Sequence, residues 1–314
     1  KTLYVWLEDN ASNINYNNKA SVQLRYDPTP PDSPKNLTAD GNNPSLWKGT
    51  QTFSIDWTNP GDYSGIKGAW YKLGSAPISN TNGIFVGSGI KPFNVTATQE
   101  NGQTLYVWLE DNTGNRDYTH YSTVVLQYDI TPPLGTATLS VWTDTEQGTL
   151  MTTHNGQWQN ISNHPYFKWT GNDGAGSGIQ CYSARLYENP YQDPGTTSTQ
   201  QGNYEVSPSI PSQTVWYLRG RMKDNVGTWS EPMTLFTLKY DKTPPHNPTS
   251  CIAYSEKGST TTIPNDQWQN IDRDPYFECS GATDTTESKV GSGVDGYSFC
   301  WRENPDKDPG TDSI

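Results

Sequence analysis

Long apolar runs are absent from this 314-residue chain, so no stretch of it reads as a membrane-crossing helix. It also shows no signal peptide or lipid anchor, and any such segment is expected outside these residues. Apolar residues reach only 32%, methionine only 3, and no sustained helical period appears, which excludes a helical bundle. Charge is scarce at 17% and its balance is -12, so the basic surface that nucleic acid or anionic lipid requires is missing. The 4 cysteines form no CxxC pair and no Cys/His spacing suited to zinc. His120, His154, His164 and His246 are scattered, and no GxSxG elbow exists. With neither nucleophile nor acid–base pair in sight, the chain reads as a non-enzyme.

What remains is rich in aromatic residues (12%, with 12 Trp and 19 Tyr) and in Gly and Pro (28 and 23), the composition of thin all-β sandwiches filled by a few large rings. One phrase recurs: YDPTPP from Tyr26, YDITPP from Tyr128 and YDKTPP from Tyr240. Ahead of each stands a second, LEDNASN from Leu7, LEDNTGN from Leu109 and MKDNVGT from Met222. The period is about 100–110 residues, which is a domain rather than a solenoid turn. Each pair of phrases describes a β-hairpin: an alternating strand, an Asp-Asn turn that tolerates positive φ, a second strand, then prolines that end the ladder and stiffen the hinge.

Further strands follow from period-2 alternation in TFSIDWT (Thr52–Thr58) and GIKGAWYKLG (Gly65–Gly74), with Trp57 and Trp169 closing the early strand of their repeats. An SGI or SGV loop precedes the next strand, a DNxGN-like turn joins the last two, and YDxTPP forms the hinge. This pattern resembles the fibronectin type III and immunoglobulin-like sandwich, in particular the tandem immunoglobulin-like repeats of large prokaryotic extracellular and cell-surface proteins. The resemblance implies an all-β fold of tandem sandwiches, with domains over 32–133 and 134–245. Residues 1–31 then supply only the F–G hairpin of a domain and 246–314 only strands A to C, so the chain is expected to be an interior piece of something longer.

Strand parity sorts the side chains. In Thr104–Asp111, Leu105, Val107 and Leu109 point to the core, leaving Tyr106, Trp108 and Glu110 outward. Trp70 joins them from the adjacent strand, and Tyr4 and Trp6 repeat the arrangement in the first hairpin. These rings are either a stabilised sheet surface, a contact for a neighbouring domain or copy of the chain, or a platform for carbohydrate stacking. In the third repeat Leu218, Gly220 and Met222 point inward and Arg219, Arg221 and Lys223 outward beside Arg185, a cationic face that suits an acidic partner or is merely solvated.

Cys251 and Cys279 align with core positions on adjacent early strands and form the favoured disulfide pair, both expected to face inward. Cys300 is expected to face outward, and Cys181 has no local partner. No cofactor is required by any motif. Asp27, Asp129 and Asp241 in the hinges and Asp9, Asp111 and Asp224 in the turns would suit calcium, yet they lack EF-hand spacing and cap local backbone equally well without metal. The expected role is structural or adhesive, extracellular or at the cell surface, with neighbouring domains or copies as partners and assembly into a filament as one outcome. An accessory carbohydrate-binding array of a secreted hydrolase is the alternative.

Overall fold

The computed structural model describes residues 1–87, 91–197, 202–205, 209–270, 274–286 and 289–299. They form two compact units, one of Lys1–Thr131 with Asp173–Gly178 and Asp224–Thr228, the other of Pro132–Asn172, Ile179–Lys223 and Trp229–Ile314.

The first unit opens on a hairpin, β1 (Thr2–Val5) antiparallel to β2 (Ala20–Gln23). Seven strands then build a sandwich: β3 (Lys35–Ala39), β4 (Thr52–Thr58), β5 (Ile66–Leu73), β6 (Ile84–Gly87), β7 (Phe93–Thr96), β8 (Gln103–Asp111) and β9 (Ser122–Leu126). One sheet has the order β3-β4-β7 and the other β6-β5-β8-β9. Alternation in β4 turns Phe53, Ile55 and Trp57 inward, and β8 meets them with Leu105, Val107 and Leu109, all under a tenth exposed. Each such side chain contributes about 1.5–3 kcal/mol by leaving water.

The second unit continues with β10 (Thr136–Trp142), β11 (Trp158–Gln159), β12 (Tyr166–Gly171), β13 (Ile179–Tyr187), β14 (Asn203–Glu205), β15 (Thr214–Asp224) and β16 (Met233–Tyr240). The sheets β10-β12-β14 and β11-β16-β15-β13 enclose Phe167, Trp169, Leu218, Phe236 and Leu238. Met222 and Gly220 also face in, as parity requires. Two early strands and the strand before the closing hairpin thus form one sheet against the C, F and G strands in both repeats, the strand order of a fibronectin type III-like, immunoglobulin-like sandwich.

The remaining strands are β17 (Ser250–Tyr254), β18 (Thr262–Ile263), β19 (Tyr276–Ser280), β20 (Thr285–Thr286) and β21 (Lys289–Val290). Cys251 and Cys279 are directly opposite in β17 and β19 and are joined by a disulfide. The expectation that both face a core is corrected: Cys251 is exposed and Cys279 half-buried, because no second sheet covers β18-β17-β19 among the described residues. Cys181 is a buried free thiol, and Cys300 lies outside the described residues. The bridge closes a loop of sequence separation 28, a constraint of about 2–4 kcal/mol on the unfolded chain. A non-reduced digest should therefore yield the two peptides cross-linked in mass spectrometry. Recovery of both as alkylated peptides without reductant would remove the bridge.

Candidate functional site

Three surfaces singled out by the sequence end up in different states. Parity places Trp70, Trp108 and Glu110 on the second face of the β5–β8 sheet, but this face is not open to solvent. Trp108 is fully buried and Glu110 is only 3% exposed. Trp108 stacks on Trp70 at 6.2 Å between centroids, and Phe85 of β6 lies 5.4 Å from Trp70. A Cβ at Gly83 would come within 2.4 Å of the Trp108 ring, so the chain leading into β6 lies directly on it. Glu110 accepts from Lys67 at 2.6 Å, from Trp70 Nε1 at 2.8 Å and from Arg116. Burial raises the Glu110 carboxyl, but these three donors outweigh it and hold it below its ordinary value. Tyr106, half-buried, packs edge-on against Tyr121 at 5.1 Å. Tyr4 and Trp6, the equivalents in the first hairpin, are 49% and 48% exposed.

The cationic face is likewise corrected. Arg219 is only 9% exposed and donates to the carbonyl oxygens of Gln192 and Pro232 and to Thr234 Oγ1. Arg221 donates to Ser230 O at 2.7 Å and pairs with Asp193 at 3.1 Å, while the Lys223 ammonium lies 6.0 Å from the centre of the Trp229 ring. The segment carrying Gln192 and Asp193 thus occupies this face. Arg185 alone of the four is exposed.

The acids of hinge and turn come together, joined by a third set that the sequence reading did not single out. Each hinge aspartate accepts the backbone N–H of the serine in the SG loop of the next repeat: Asp27 from Ser64 at 3.0 Å, Asp129 from Ser177 at 2.7 Å, Asp241 from Ser292 at 2.8 Å. An acid upstream in that loop accepts the following glycine N–H: Asp62 from Gly65, Asp173 from Gly178, Asp284 from Gly293, at 2.7–2.8 Å. The Asp-Asn turn closes the clasp, because Asn112 donates to Ser64 O and Asn225 to Ser177 O. Carboxylate oxygens of Asp27, Asp62 and Asp111 lie within 4.8 Å of one another, and so do those of Asp129, Asp173 and Asp224. Both triads lie in the first unit.

Their electrostatics differ. Burial raises the Asp111 carboxyl, but hydrogen bonds from the side chain and backbone of Asn115 and of Thr113 prevail and lower it. Asp173 stays above its ordinary value: burial pushes it up, the Gly178 N–H opposes, and the charges of Asp129 and Asp224 push further.

No family model and no curated protein matches the chain. Among solved structures, the fibronectin(III)-like modules of Clostridium thermocellum CbhA are similar at a TM-score of 0.26 and 12% identity, over 67% of this chain and 97% of that one. The FN1–FN3 domains of chicken CNTN1 are similar at a TM-score of 0.26 and 13% identity, over 74% and 76%. The strand order itself defines the class: tandem β-sandwich domains of fibronectin type III-like fold.

Proposed function

We propose that the chain is a non-enzymatic structural or adhesive segment of an extracellular or cell-surface protein. The observation carrying this reading is the clasp of hinge aspartate and serine–glycine loop formed at Asp27, Asp129 and Asp241: the recurring specialised feature is a joint. The disulfide suits an oxidising compartment.

Assembly between copies is part of the proposal and has its own support. Leu3, Val5, Leu7, Val22 and Leu24 are 51–83% exposed, whereas their counterparts Leu105, Val107, Leu109, Val124 and Leu126 are at most 1% exposed. The same apolar face is a core in one repeat and bare in the other, and a lone hairpin is marginal in water. A half-sandwich from another stretch of chain or another copy would cover it, the latter giving a head-to-tail filament. Sedimentation of the full chain across concentration should show reversible association that Val5→Asp abolishes; a monomer at every concentration removes assembly from the reading.

Accessory carbohydrate binding is the second reading, favoured by the exposed Tyr4 and Trp6. Retention on a polysaccharide column, lost in Trp6→Ala, would displace the structural reading.

A further inference from the structure

The two complete acid triads are built from the same phrases but are not finished alike. In the second repeat every Asp111 oxygen is used: Oδ1 accepts from Thr113 and from the Asn115 backbone, and Oδ2 accepts the Asn115 side-chain amide at 2.8 Å. That amide also reaches Asp27 O at 2.8 Å. The first hairpin repeats the arrangement, with Asn13 Nδ2 on Asp9 Oδ2 at 2.9 Å. The third repeat has Thr228 where the others have asparagine. Asp224 Oδ1 accepts from Gly227 and Thr228 at 2.7 Å, but Oδ2 is left without a hydrogen-bond partner on a residue that is fully buried.

A second polar atom is orphaned in the same cluster. Ser64 Oγ donates to Asp62 and Ser292 Oγ to Asp284, both at 3.1 Å, whereas Ser177 Oγ, on a residue only 8% exposed, has no partner. Among the described residues no ion pair reaches Asp129, Asp173 or Asp224. Oδ2 of Asp129 and Oδ2 of Asp173 converge above Gly176, each 2.8 Å from where a Cβ would stand, and each accepts one backbone N–H, from Ser177 and from Gly178, at 2.7 Å. Three carboxylates thus gather, answered by backbone N–H groups and paired with no cationic side chain in any ion pair among the described residues. A fully buried carboxylate oxygen without a partner, as Asp224 Oδ2 is, is costly.

We infer that Asp129, Asp173 and Asp224, with Ser177 Oγ, bind a calcium-class divalent cation that takes the place filled by the Asn115 amide in the preceding repeat. Oxygens within 4.8 Å of one another suit bonds of about 2.3–2.6 Å to one ion, with water completing a shell of about 6–8 oxygens. Magnesium demands a tighter octahedron and sheds its water reluctantly, which disfavours it here. The inference stands apart from the proposed role, since it is read from chemistry inside the chain.

The test is calorimetric titration of the full 314-residue chain, stripped with chelator, with calcium chloride and separately with magnesium chloride at fixed ionic strength. The expected result is saturable calcium binding with a dissociation constant of about 10⁻³ M or tighter. Thr228→Asn installs the donor found in the other repeats, so it should retain the circular dichroism spectrum while weakening calcium binding at least about tenfold. Asp173→Asn, near-isosteric, should do the same and serves if Thr228→Asn misfolds. Absence of saturable binding, calcium affinity unchanged in both variants, or an equal response to magnesium would each overturn the inference.

Discussion

Replacing Trp108 with alanine is expected to lower the unfolding free energy of the β3–β9 sandwich by about 3–5 kcal/mol, the range for truncating a buried tryptophan. Its counterpart Trp6 occupies the same phrase, LYVWLEDN, at 48% exposure, and its truncation should fall within about 0.5 kcal/mol. The pair separates environment from sequence, because both residues share the same neighbours along the chain. The cost at Trp108 comes from the cavity left between Trp70 and Gly83 rather than from a polar bond, since Trp108 Nε1 has no hydrogen-bond partner. Trp108→Phe should accordingly recover most of the loss by refilling much of the volume without the unpaired N–H. Hydrogen exchange over β8 measures this locally. Equal small effects at Trp6 and Trp108 would return the aromatic face to the solvent.

That comparison also shows where reading the sequence reached its limit. Alternation sorted Leu105, Val107 and Leu109 from Trp108 and Glu110, and the structure keeps both sets on the sides expected. Parity assigns a side, however, and says nothing about what covers it. The covering strand β6 is only four residues long, with a weak pattern, and the chain before it seals Trp108 through a glycine contact that no periodicity announces. A signal did exist in Glu110, an acid two residues after Trp108 on the same strand face, which Lys67 and Arg116 pair with. Arg219 and Arg221 failed for the same reason, being covered by the segment around Gln192 and Asp193.

Asp27, Asp111, Asp129 and Asp224 were singled out from recurring phrases, whereas Asp62, Asp173 and Asp284 were missed. These lie three, five and nine residues before the glycine whose N–H they accept, so a fixed spacing cannot align them. The loop absorbs the difference in length while its serine–glycine end remains in place. An aspartate somewhere upstream of each SG pair was the available signal.

Asp111 carries the second large effect, and its sign with pH follows from its bonds. The residue is fully buried and accepts four hydrogen bonds of 2.8–2.9 Å from Thr113 and Asn115, which close the turn between β8 and β9. Asp111→Ala strands those donors, at a cost of about 2–4 kcal/mol to the β3–β9 sandwich. Because the donors favour the ionised form beyond what burial takes away, the folded carboxyl titrates below the ordinary aspartate value of 3.8. The stabilisation is therefore complete above that value, where folded and unfolded chains are both ionised. It is lost as pH falls through the lowered folded value, because the unfolded chain binds its proton first. Glu110 adds to the trend from its own ordinary value of 4.5, with its folded carboxyl also lowered. The urea midpoint of the β3–β9 sandwich should thus fall as pH drops from about 5 to 3, and Glu110→Gln with Asp111→Asn should flatten that slope while weakening the domain at neutral pH. A slope unchanged in the double variant would assign the acid sensitivity to other carboxylates.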